Sequence, residues 1–229
     1  SGYRHAIVDA INDDDLMQIG VALADVKLIT GGSGIAIGLP ENFRKQGTLQ
    51  EGTAPQWPNV KGSAAVLAGS CSIRTREQVA AWKTHSPALE IDPFAISKGD
   101  DVVGNALSWA ADRITDGPVL IYSSADPADV TRVQEELGRE DAGSMVEDTL
   151  GRIAQGLVEQ GVRKMVVAGG ETSGAVVSAL EVKALRIGPE IDPGVPWTTA
   201  VGDKELALAL KSGNFGDVDF FKRALDLLP

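Results

Sequence analysis

A cluster of glycine and hydroxyl residues directly follows a short apolar run in the second half of the chain. The run, residues 165–168, is typical of a strand that is buried on both faces of a sheet, and Gly169 and Gly170 end it. Either Thr172 or Ser173 can cap the helix that is expected to follow. A strand, a glycine turn and a helix N-terminus bring free N–H groups and the positive end of the helix dipole together. The pattern predicts an anion site with phosphate as the usual ligand, although a turn without any ligand fits the local sequence equally well.

Two common phosphate-binding motifs do not match this turn. Gly169 and Gly174 have the glycine spacing of a Walker A loop, but Ala175 and Val176 occupy the positions that require Lys and Ser or Thr. The dinucleotide motif G-x-G-x-x-G also fails, because Gly169 and Gly170 are adjacent. A nucleotide held here would therefore be bound by a different scheme.

Three further turns rich in serine or glycine follow predicted strands. They are Gly-Ser-Cys-Ser at 69–72, Ser-Ser at 123–124 and Ser-Gly-Asn-Phe-Gly at 212–216. Because the carboxyl ends of parallel strands lie along one edge of a sheet, we expect these turns to meet the 169–173 turn there. Hydroxyls, N–H groups and glycines in that arrangement suit a nucleotide. They do not suit hydride transfer, since no ribose-binding acid follows a dinucleotide turn.

Hydrolytic and metal chemistry fit the sequence less well. Residues 69–72 do not match the G-x-S-x-G motif of serine hydrolases, and only His5 and His85 could act as a base. Cys71 is better explained as a packed cysteine than as a nucleophile. The three aspartates at 13–15 fit the acidic start of a helix better than a metal site.

Composition restricts the classes of partner. The chain has 229 residues with a net charge of −11, which argues against a nucleic-acid surface. It contains no apolar run near the roughly 20 residues of a membrane span and a single cysteine, so we expect a cytoplasmic protein without disulfides. An acidic protein that binds a phosphorylated ligand needs local N–H groups, a few Lys or Arg, or a divalent cation.

Strands and helices alternate along most of the chain, which predicts an α/β fold with a layered, mainly parallel sheet. The predicted strands are residues 64–68, 88–91, 119–122 and 165–168, and the predicted helices are residues 75–82, 104–114, 129–137, 145–159 and 175–180. A Gly/Pro loop over 188–196 is then expected. Two short antiparallel segments, 195–201 and 206–211, and a closing helix over 220–228 complete the prediction.

The first part of the chain reads as the tail of another α/β domain. Its predicted elements are strands over 5–8 and 27–30 and helices over 16–24 and 35–39, with a Gly-Gly-Ser-Gly turn at 31–34. The polar, proline-containing stretch that follows is typical of a linker. We therefore expect residues 1–45 to be the remnant of one domain, 46–61 a linker and 62–229 a second domain. On this interpretation the chain is the C-terminal piece of a longer protein.

Several longer motifs resemble one known family. In order along the chain they are Gly-Ser-Cys-Ser at 69–72 followed by Thr75 and Gln78, Gly-Gly-Glu-Thr-Ser-Gly at 169–174, Gly-Pro-Glu-Ile-Asp-Pro-Gly-Val-Pro-Trp at 188–197, and Leu-Lys-Ser-Gly-Asn-Phe-Gly at 210–216. They resemble the C-terminal nucleotide-binding domain of the four-carbon acid sugar kinases, also called 3-oxo-tetronate and threonate/erythronate kinases. Asp9-Ala10, Asp15-Leu16 and the turn at 30–34 resemble the end of that family's acid-sugar domain. The resemblance covers nearly the whole chain.

The resemblance implies ATP-dependent phosphorylation of a four-carbon sugar acid, a tetronate or 3-oxo-tetronate, with Mg²⁺ as the accompanying cation. By motif match, the residues that would contact ATP are Ser70, Gly170, Glu171, Thr172, Ser173 and Gly213. The sugar acid would contact the N-terminal domain, to which Gly32, Ser33 and Gly34 are the nearest contributors. The implied partners are ATP and the small sugar acid, without nucleic acid or membrane. A homo-oligomer is compatible with the sequence.

One feature of that family is missing from this sequence. Its members begin with an Asp-Asp-x-Thr-Gly-Ala stretch, which this chain does not contain. We therefore expect the sugar-acid site to be incomplete here and the chain alone not to phosphorylate a tetronate. The alternative is a non-catalytic nucleotide-binding or protein-interaction module. The catalytic base is unassigned, because Asp203 and Asp217 lie beside glycine turns where aspartate also serves to form the turn.

Overall fold

The computed structural model describes residues 7–50, 57–123 and 139–228. The chain divides into two compact units, Ser1–Pro55 and Gln56–Pro229. The boundary between them falls inside the 46–61 segment. In the ranges that the structure describes, no helix is both long enough and apolar enough to cross a membrane.

The first unit contains two packed helices, α1 (Asp13–Ala22) and α2 (Ile35–Lys45). Helix α1 begins where the Asn12 side chain accepts a hydrogen bond from the Asp15 amide, and three aspartates occupy its first turn. The helices approach closely because two glycines face each other, and a Cβ added to Gly20 would lie 2.4 Å from the Gly38 carbonyl oxygen. The buried Asn42 amide donates to the Gly20 carbonyl oxygen.

Two predictions for this unit need correction. Residues 27–30 are not a strand: Leu28 is 87% exposed, and no described strand lies beside them to accept their hydrogen bonds. Helix α2 does not stop at Leu39 but continues through Pro40 to Lys45, into the polar sequence. The strand expected at 5–8 lies mostly outside the described residues, and its last two residues are not in a strand.

The second unit is built on one seven-stranded sheet. Its strands are β1 (Ser63–Ala68), β2 (Ala88–Glu90), β3 (Val119–Tyr122), β4 (Val162–Ala168), β5 (Leu185–Asp192), β6 (Val195–Ala200) and β7 (Ala207–Lys211). Their order across the sheet is β2-β3-β1-β4-β7-β6-β5. The first five of these strands are parallel, and β6 and β5 continue the sheet in antiparallel fashion. The predicted α/β, mainly parallel architecture is confirmed.

Helices cover both faces of this sheet. They are α3 (Ile73–Lys83), α4 (Pro93–Ser97), α5 (Val102–Ala111), α6 (Arg139–Glu159), α7 (Gly170–Ala179) and α8 (Phe220–Asp226). On one face, α5, α6 and α7 bury residues such as Leu150, Leu157 and Val176 against the strands. On the other, α3 and α8 bury Trp82 and Phe221. The helix expected at 129–137 lies outside the described residues.

At the antiparallel end of the sheet, one strand pair agrees with the prediction and one predicted loop does not. Strands β6 and β7 pair antiparallel, as expected. The segment 188–196 is not a loop, because most of it belongs to the β5–β6 hairpin. Strand β5 tolerates Pro189 because it is an edge strand, where a missing N–H leaves no ladder partner unsatisfied, and irregular pairing around Glu190 absorbs the glycine and proline.

Candidate functional site

The carboxyl ends of four parallel strands bring their following loops into contact. The amides of Gly69 and Ser70, after β1, donate to the Ala168 carbonyl oxygen at the end of β4, at 3.1 and 3.3 Å. The Gly169 amide, after β4, donates to the Lys211 carbonyl oxygen at the end of β7, at 2.9 Å. The Ser123 amide, after β3, donates to the Ala68 carbonyl oxygen at 2.8 Å. The described residues of the serine and glycine turns therefore meet where the parallel strands end, as predicted, while Ser124 lies outside the described residues.

Helix α7 begins directly after a glycine with a positive φ. Gly169 has a φ of +131°, a conformation that side-chain-bearing residues rarely adopt. Its neighbour in space is the buried Thr172, whose hydroxyl oxygen would lie 2.7 Å from a Cβ on Gly169 and 2.4 Å from a Cβ on Gly69. Both turns thus need glycine because the Thr172 side chain packs between them.

The N-terminus of α7 has no side-chain cap, so the prediction that Thr172 or Ser173 caps it is wrong. Gly169 lets the chain turn at once, so the helix starts at Gly170 and Thr172 points into the protein instead. Gly170 and Glu171 are exposed, and a Cβ on Gly170 would meet nothing within 4 Å. The first-turn amides therefore lie at an open surface, in contrast to α1, α3, α4 and α5, whose N-termini are closed by a side chain.

Ser70 and Gly213 come together at the same edge. Ser72 caps α3 by accepting from the Thr75 amide at 3.2 Å, and Ser70 Oγ accepts from the Ser72 amide at 3.2 Å. A Cβ on Gly213 would lie 2.3 Å from Ser70 Oγ, so the two turns touch and only glycine fits there. Ser173 Oγ, on α7, is buried without a hydrogen-bond partner among the described residues. Such an orphaned hydroxyl is available to a ligand.

Three buried polar side chains hold the 212–217 turn from the protein side. Thr75 Oγ1 donates to the Gly213 carbonyl oxygen at 2.9 Å. Gln78 Nε2 reaches the carbonyl oxygens of residues 215, 216 and 217 at 3.1, 3.2 and 2.8 Å. Lys211 Nζ donates to the carbonyl oxygens of Ser212 and Gly213 at 3.0 and 2.9 Å. The turn is therefore fixed by α3 and by the last residue of β7.

Lys211 was not among the residues predicted for the site. It is 1% exposed, and burial lowers the pKa of its ammonium group from the ordinary 10.5 to about 8. The available signal was the break in the alternating strand Ala-Leu-Ala-Leu, which ends in a lysine where an apolar residue would continue it. A lysine at a strand end is usually an exposed residue, so local sequence does not distinguish this one.

Two carboxyl groups lie beside the open end of α7. Burial raises the pKa of Glu147, on α6, and the charge and hydrogen bonding of the neighbouring Glu171 raise it further. No group of three or more metal-ligating side chains occurs among the described residues. This pair therefore adds negative charge at one side of the predicted anion site.

The remaining candidates lie in different places. Gly32, Ser33 and Gly34 belong to the first unit, where Gly34 precedes α2. Asp203 precedes β7, whereas the four turns follow the carboxyl ends of the strands. It therefore lies about 16 Å from them, the length of β7, and is too far away to act as a base for this site. Asp217 follows the 212–216 turn and pairs with Arg223 at 3.5 Å.

The chain is similar to a defined domain family and to longer curated proteins. The family model described as "Nucleotide-binding C-terminal domain" matches residues 65–221. Proteins named 3-oxo-tetronate kinase from Pseudomonas fluorescens and Burkholderia multivorans are 54% and 55% identical to it over 228 residues, 99% of this chain and 53% of each relative. The chain thus spans about half the length of the curated relatives it matches.

Solved structures support the same relationship. A Haemophilus influenzae protein of the family DUF1537 is 34% identical, with a TM-score of 0.77, over 100% of this chain and 54% of that protein. A Salmonella typhimurium protein described as a putative tRNA synthase is 36% identical, with a TM-score of 0.78, over the same shares of the two chains. From the match of the family model to most of the sheet and its turns, the chain belongs to the family of nucleotide-binding C-terminal domains.

Proposed function

We propose that this chain is the nucleotide-binding C-terminal part of an ATP-dependent kinase that phosphorylates a four-carbon sugar acid of the 3-oxo-tetronate type. The observation that carries the proposal is the uncapped N-terminus of α7, which lies open beside Ser70 and Gly213. The names of the relatives support the reaction and the substrate class, and the family model supports nucleotide binding.

The geometry fits a bound triphosphate. The amides of Gly170, Glu171 and Thr172 lie in the uncapped first turn, where the helix dipole favours negative charge. Ser70 Oγ and the orphaned Ser173 Oγ provide hydroxyl donors on either side of them. Phosphoryl transfer depends on positioning and charge neutralisation rather than on covalent catalysis, so these groups supply what the reaction needs from the nucleotide side.

Mg²⁺ would accompany the triphosphate and neutralise part of its charge. The carboxyl groups of Glu171 and Glu147 are oxygen donors of the kind that Mg²⁺ takes together with phosphates and water, and they lie next to the proposed phosphate position. On the sugar-acid side, Gly32, Ser33 and Gly34 are the proposed contributors from the first unit. No residue is assigned as the base that accepts the proton of the substrate hydroxyl.

The test is calorimetric titration of ATP–Mg²⁺ into the chain and into a Gly170→Asp variant. A Cβ at position 170 meets nothing within 4 Å, so the variant should fold, while its carboxylate would repel the phosphates. We expect its ATP affinity to fall at least about tenfold. The control is Ser178→Asp, an exposed position near the other end of the same helix, which should bind as the unmodified chain does. Equal affinities for all three proteins would contradict the site.

A further inference from the structure

The buried end of β7 carries a positive charge that the proposed reaction has not used. Lys211 is 1% exposed and lies on the face of the sheet covered by α3, beside Ala168 of β4. Its Nζ donates to three oxygens: Thr75 Oγ1 at 3.2 Å, the Ser212 carbonyl at 3.0 Å and the Gly213 carbonyl at 2.9 Å. All three are neutral. A buried ammonium usually has a carboxylate partner, because removing an unpaired charge from water is costly.

No such partner is present in the described part of the chain. The charged residues on the elements around Lys211 are Arg74, Arg76, Glu77 and Lys83 on α3, Arg163 and Lys164 on β4, Glu171 at the start of α7, Asp217 in the turn, and Asp219, Lys222, Arg223 and Asp226 at α8. Glu77 pairs with Arg74 at 2.9 Å and Asp217 pairs with Arg223 at 3.5 Å. Neither these carboxylates nor Glu171 forms an ion pair with Lys211. Burial alone lowers the Lys211 pKa to about 8.

The carbonyl oxygens and the amides of the 212–217 turn have different partners. Its carbonyl oxygens are drawn inward by Lys211, Thr75 and Gln78. The amides of Gly213 and Asn214 donate to no other group that the structure describes. Gly213 itself touches Ser70, one of the proposed ATP contacts. An anion at Ser70 and Gly213 would therefore meet N–H groups that have no other described acceptor, in a turn whose carbonyl oxygens bind the buried Lys211 ammonium.

We propose that Lys211 is a positioning residue of the nucleotide site, holding the 212–217 turn in its binding conformation and supplying the buried charge that the phosphates of the nucleotide balance. This inference rests on the proposed function. The bound phosphates would favour the charged form of Lys211, so the complex would keep the proton to a higher pH than the free protein. Above pH 8 the free protein loses that proton, and binding must then take one up.

The sign of the pH dependence follows from this linkage. With the free Lys211 half-protonated near pH 8 and the complex protonated well above that, ATP affinity should fall about tenfold between pH 7 and pH 9. ATP with Mg²⁺ bound, the form used in the titration, keeps its full charge throughout this range. Adenosine, which has no phosphates, should bind with little change over the same interval.

The experiment is calorimetric titration of ATP and adenosine at pH 7 and pH 9 with the unmodified chain, Lys211→Met, Lys211→Arg and the control Lys222→Met, a surface position. We expect Lys211→Met to bind ATP about tenfold more weakly at pH 7 and to lose the pH dependence. Lys211→Arg should restore affinity at pH 7 and keep it at pH 9, because arginine stays charged. Lys222→Met should follow the unmodified chain.

A second measurement needs no variant and so does not depend on folding. Titration of ATP at pH 8.5 in two buffers of different ionisation enthalpy gives the number of protons taken up, which should be between a half and one per ATP. ATP binding without proton uptake, or with the same pH profile in Lys211→Met as in the unmodified chain, would overturn the inference while leaving the proposed function standing. No ATP binding by the unmodified chain at any pH would overturn both.

Discussion

At the scale of single residues, the Thr172 side chain is the reason that two turns of the site require glycine. Its buried hydroxyl lies between Gly69 and Gly169, and neither glycine leaves room for a methyl group. Gly169 carries the further requirement of a positive φ. The same geometry starts α7 at Gly170 and leaves its first amides uncapped. The glycines are therefore needed for the shape of the proposed site, and not only for close approach of a ligand.

We expect Gly169→Ala to lower the free energy of unfolding by about 2–4 kcal/mol, because the new methyl group meets Thr172 and the backbone cannot relax to a negative φ without moving α7. Urea denaturation followed by circular dichroism measures the change. The matched control is Gly117→Ala, where a Cβ meets nothing within 4 Å and φ is not positive. That variant should stay within about 0.5 kcal/mol of the unmodified chain. A loss at position 117 as large as at 169 would show that glycine replacement in general, rather than this contact, is responsible.

Lys211 shows why some functional residues escape prediction from sequence. The glycine turns follow from composition and spacing alone, since Gly-Gly after an apolar run predicts a turn wherever it occurs. A lysine at the end of a strand predicts an exposed residue, and here Thr75, 136 positions away in sequence, buries it. Only the sheet order, which places β7 beside β4 and under α3, brings these two together.

At the scale of elements, α3 and the 212–217 turn behave as one part of the site. Gln78, 1% exposed, spans three consecutive carbonyl oxygens of the turn with a single amide group. Arg223 on α8 forms ion pairs with Asp217, the last residue of the turn, and with Asp192 of β5. The turn therefore depends on helices on one face of the sheet for its conformation.

We expect Gln78→Ala to lower the free energy of unfolding by about 2–3 kcal/mol, since it removes a buried amide that donates to three partly buried carbonyl oxygens of the turn. Amide exchange of residues 212–217 should become faster, and ATP affinity should fall with it. Hydrogen exchange by mass spectrometry reports the turn directly. Gln155→Ala is the control, because that exposed glutamine amide donates to a single carbonyl oxygen, of Ala179. It should cost about 1 kcal/mol and leave exchange in the turn unchanged.

The elements that periodicity predicts best are those buried on both faces. Strands β1, β3 and β4 are short apolar runs, and the structure has them within a residue or two of the expected positions, apart from an earlier start for β4. Strand β5 was missed because its burial is irregular and it contains glycine and proline. Those residues are tolerated at an edge and interrupt the pattern that identifies a strand. Whether a segment with glycine and proline forms a strand depends on its position in the sheet, which the sequence does not reveal.

At the scale of the whole molecule, the charge distribution opposes the proposed ligand. The chain has a net charge of −11, so a polyphosphate is repelled at long range. The local groups at the sheet edge must compensate for this. They are the first-turn amides of α7, the Gly213 and Asn214 amides, which donate to no other described group, and the buried charge of Lys211. Because salt screens the long-range repulsion and screens short contacts with the buried charge of Lys211 much less, ATP affinity should not fall as salt increases from low to physiological concentration.

Whether nucleotide binding leads to phosphoryl transfer depends on a second substrate. Holding both reactants in place contributes about 7–11 kcal/mol to lowering such a barrier. The chain matches 53% of the Pseudomonas fluorescens 3-oxo-tetronate kinase, and its described residues carry the proposed nucleotide site. We therefore expect the chain alone to bind ATP without tetronate-dependent ADP release. A fusion in which it replaces the matching part of that relative should release ADP when a 3-oxo-tetronate is supplied, within about tenfold of the relative's rate.

A coupled ADP-release assay with a panel of four-carbon sugar acids makes this comparison. The same fusion carrying Gly170→Asp should bind ATP poorly and release little ADP, which ties the activity to the start of α7. Tetronate-dependent release by the chain alone at the relative's rate would contradict the expectation that a second part is needed. A fusion that folds and binds ATP but releases no ADP with any sugar acid would contradict the kinase proposal. It would favour a nucleotide-binding module without catalysis, because binding would then have been retained while the alignment of γ-phosphate and hydroxyl had not.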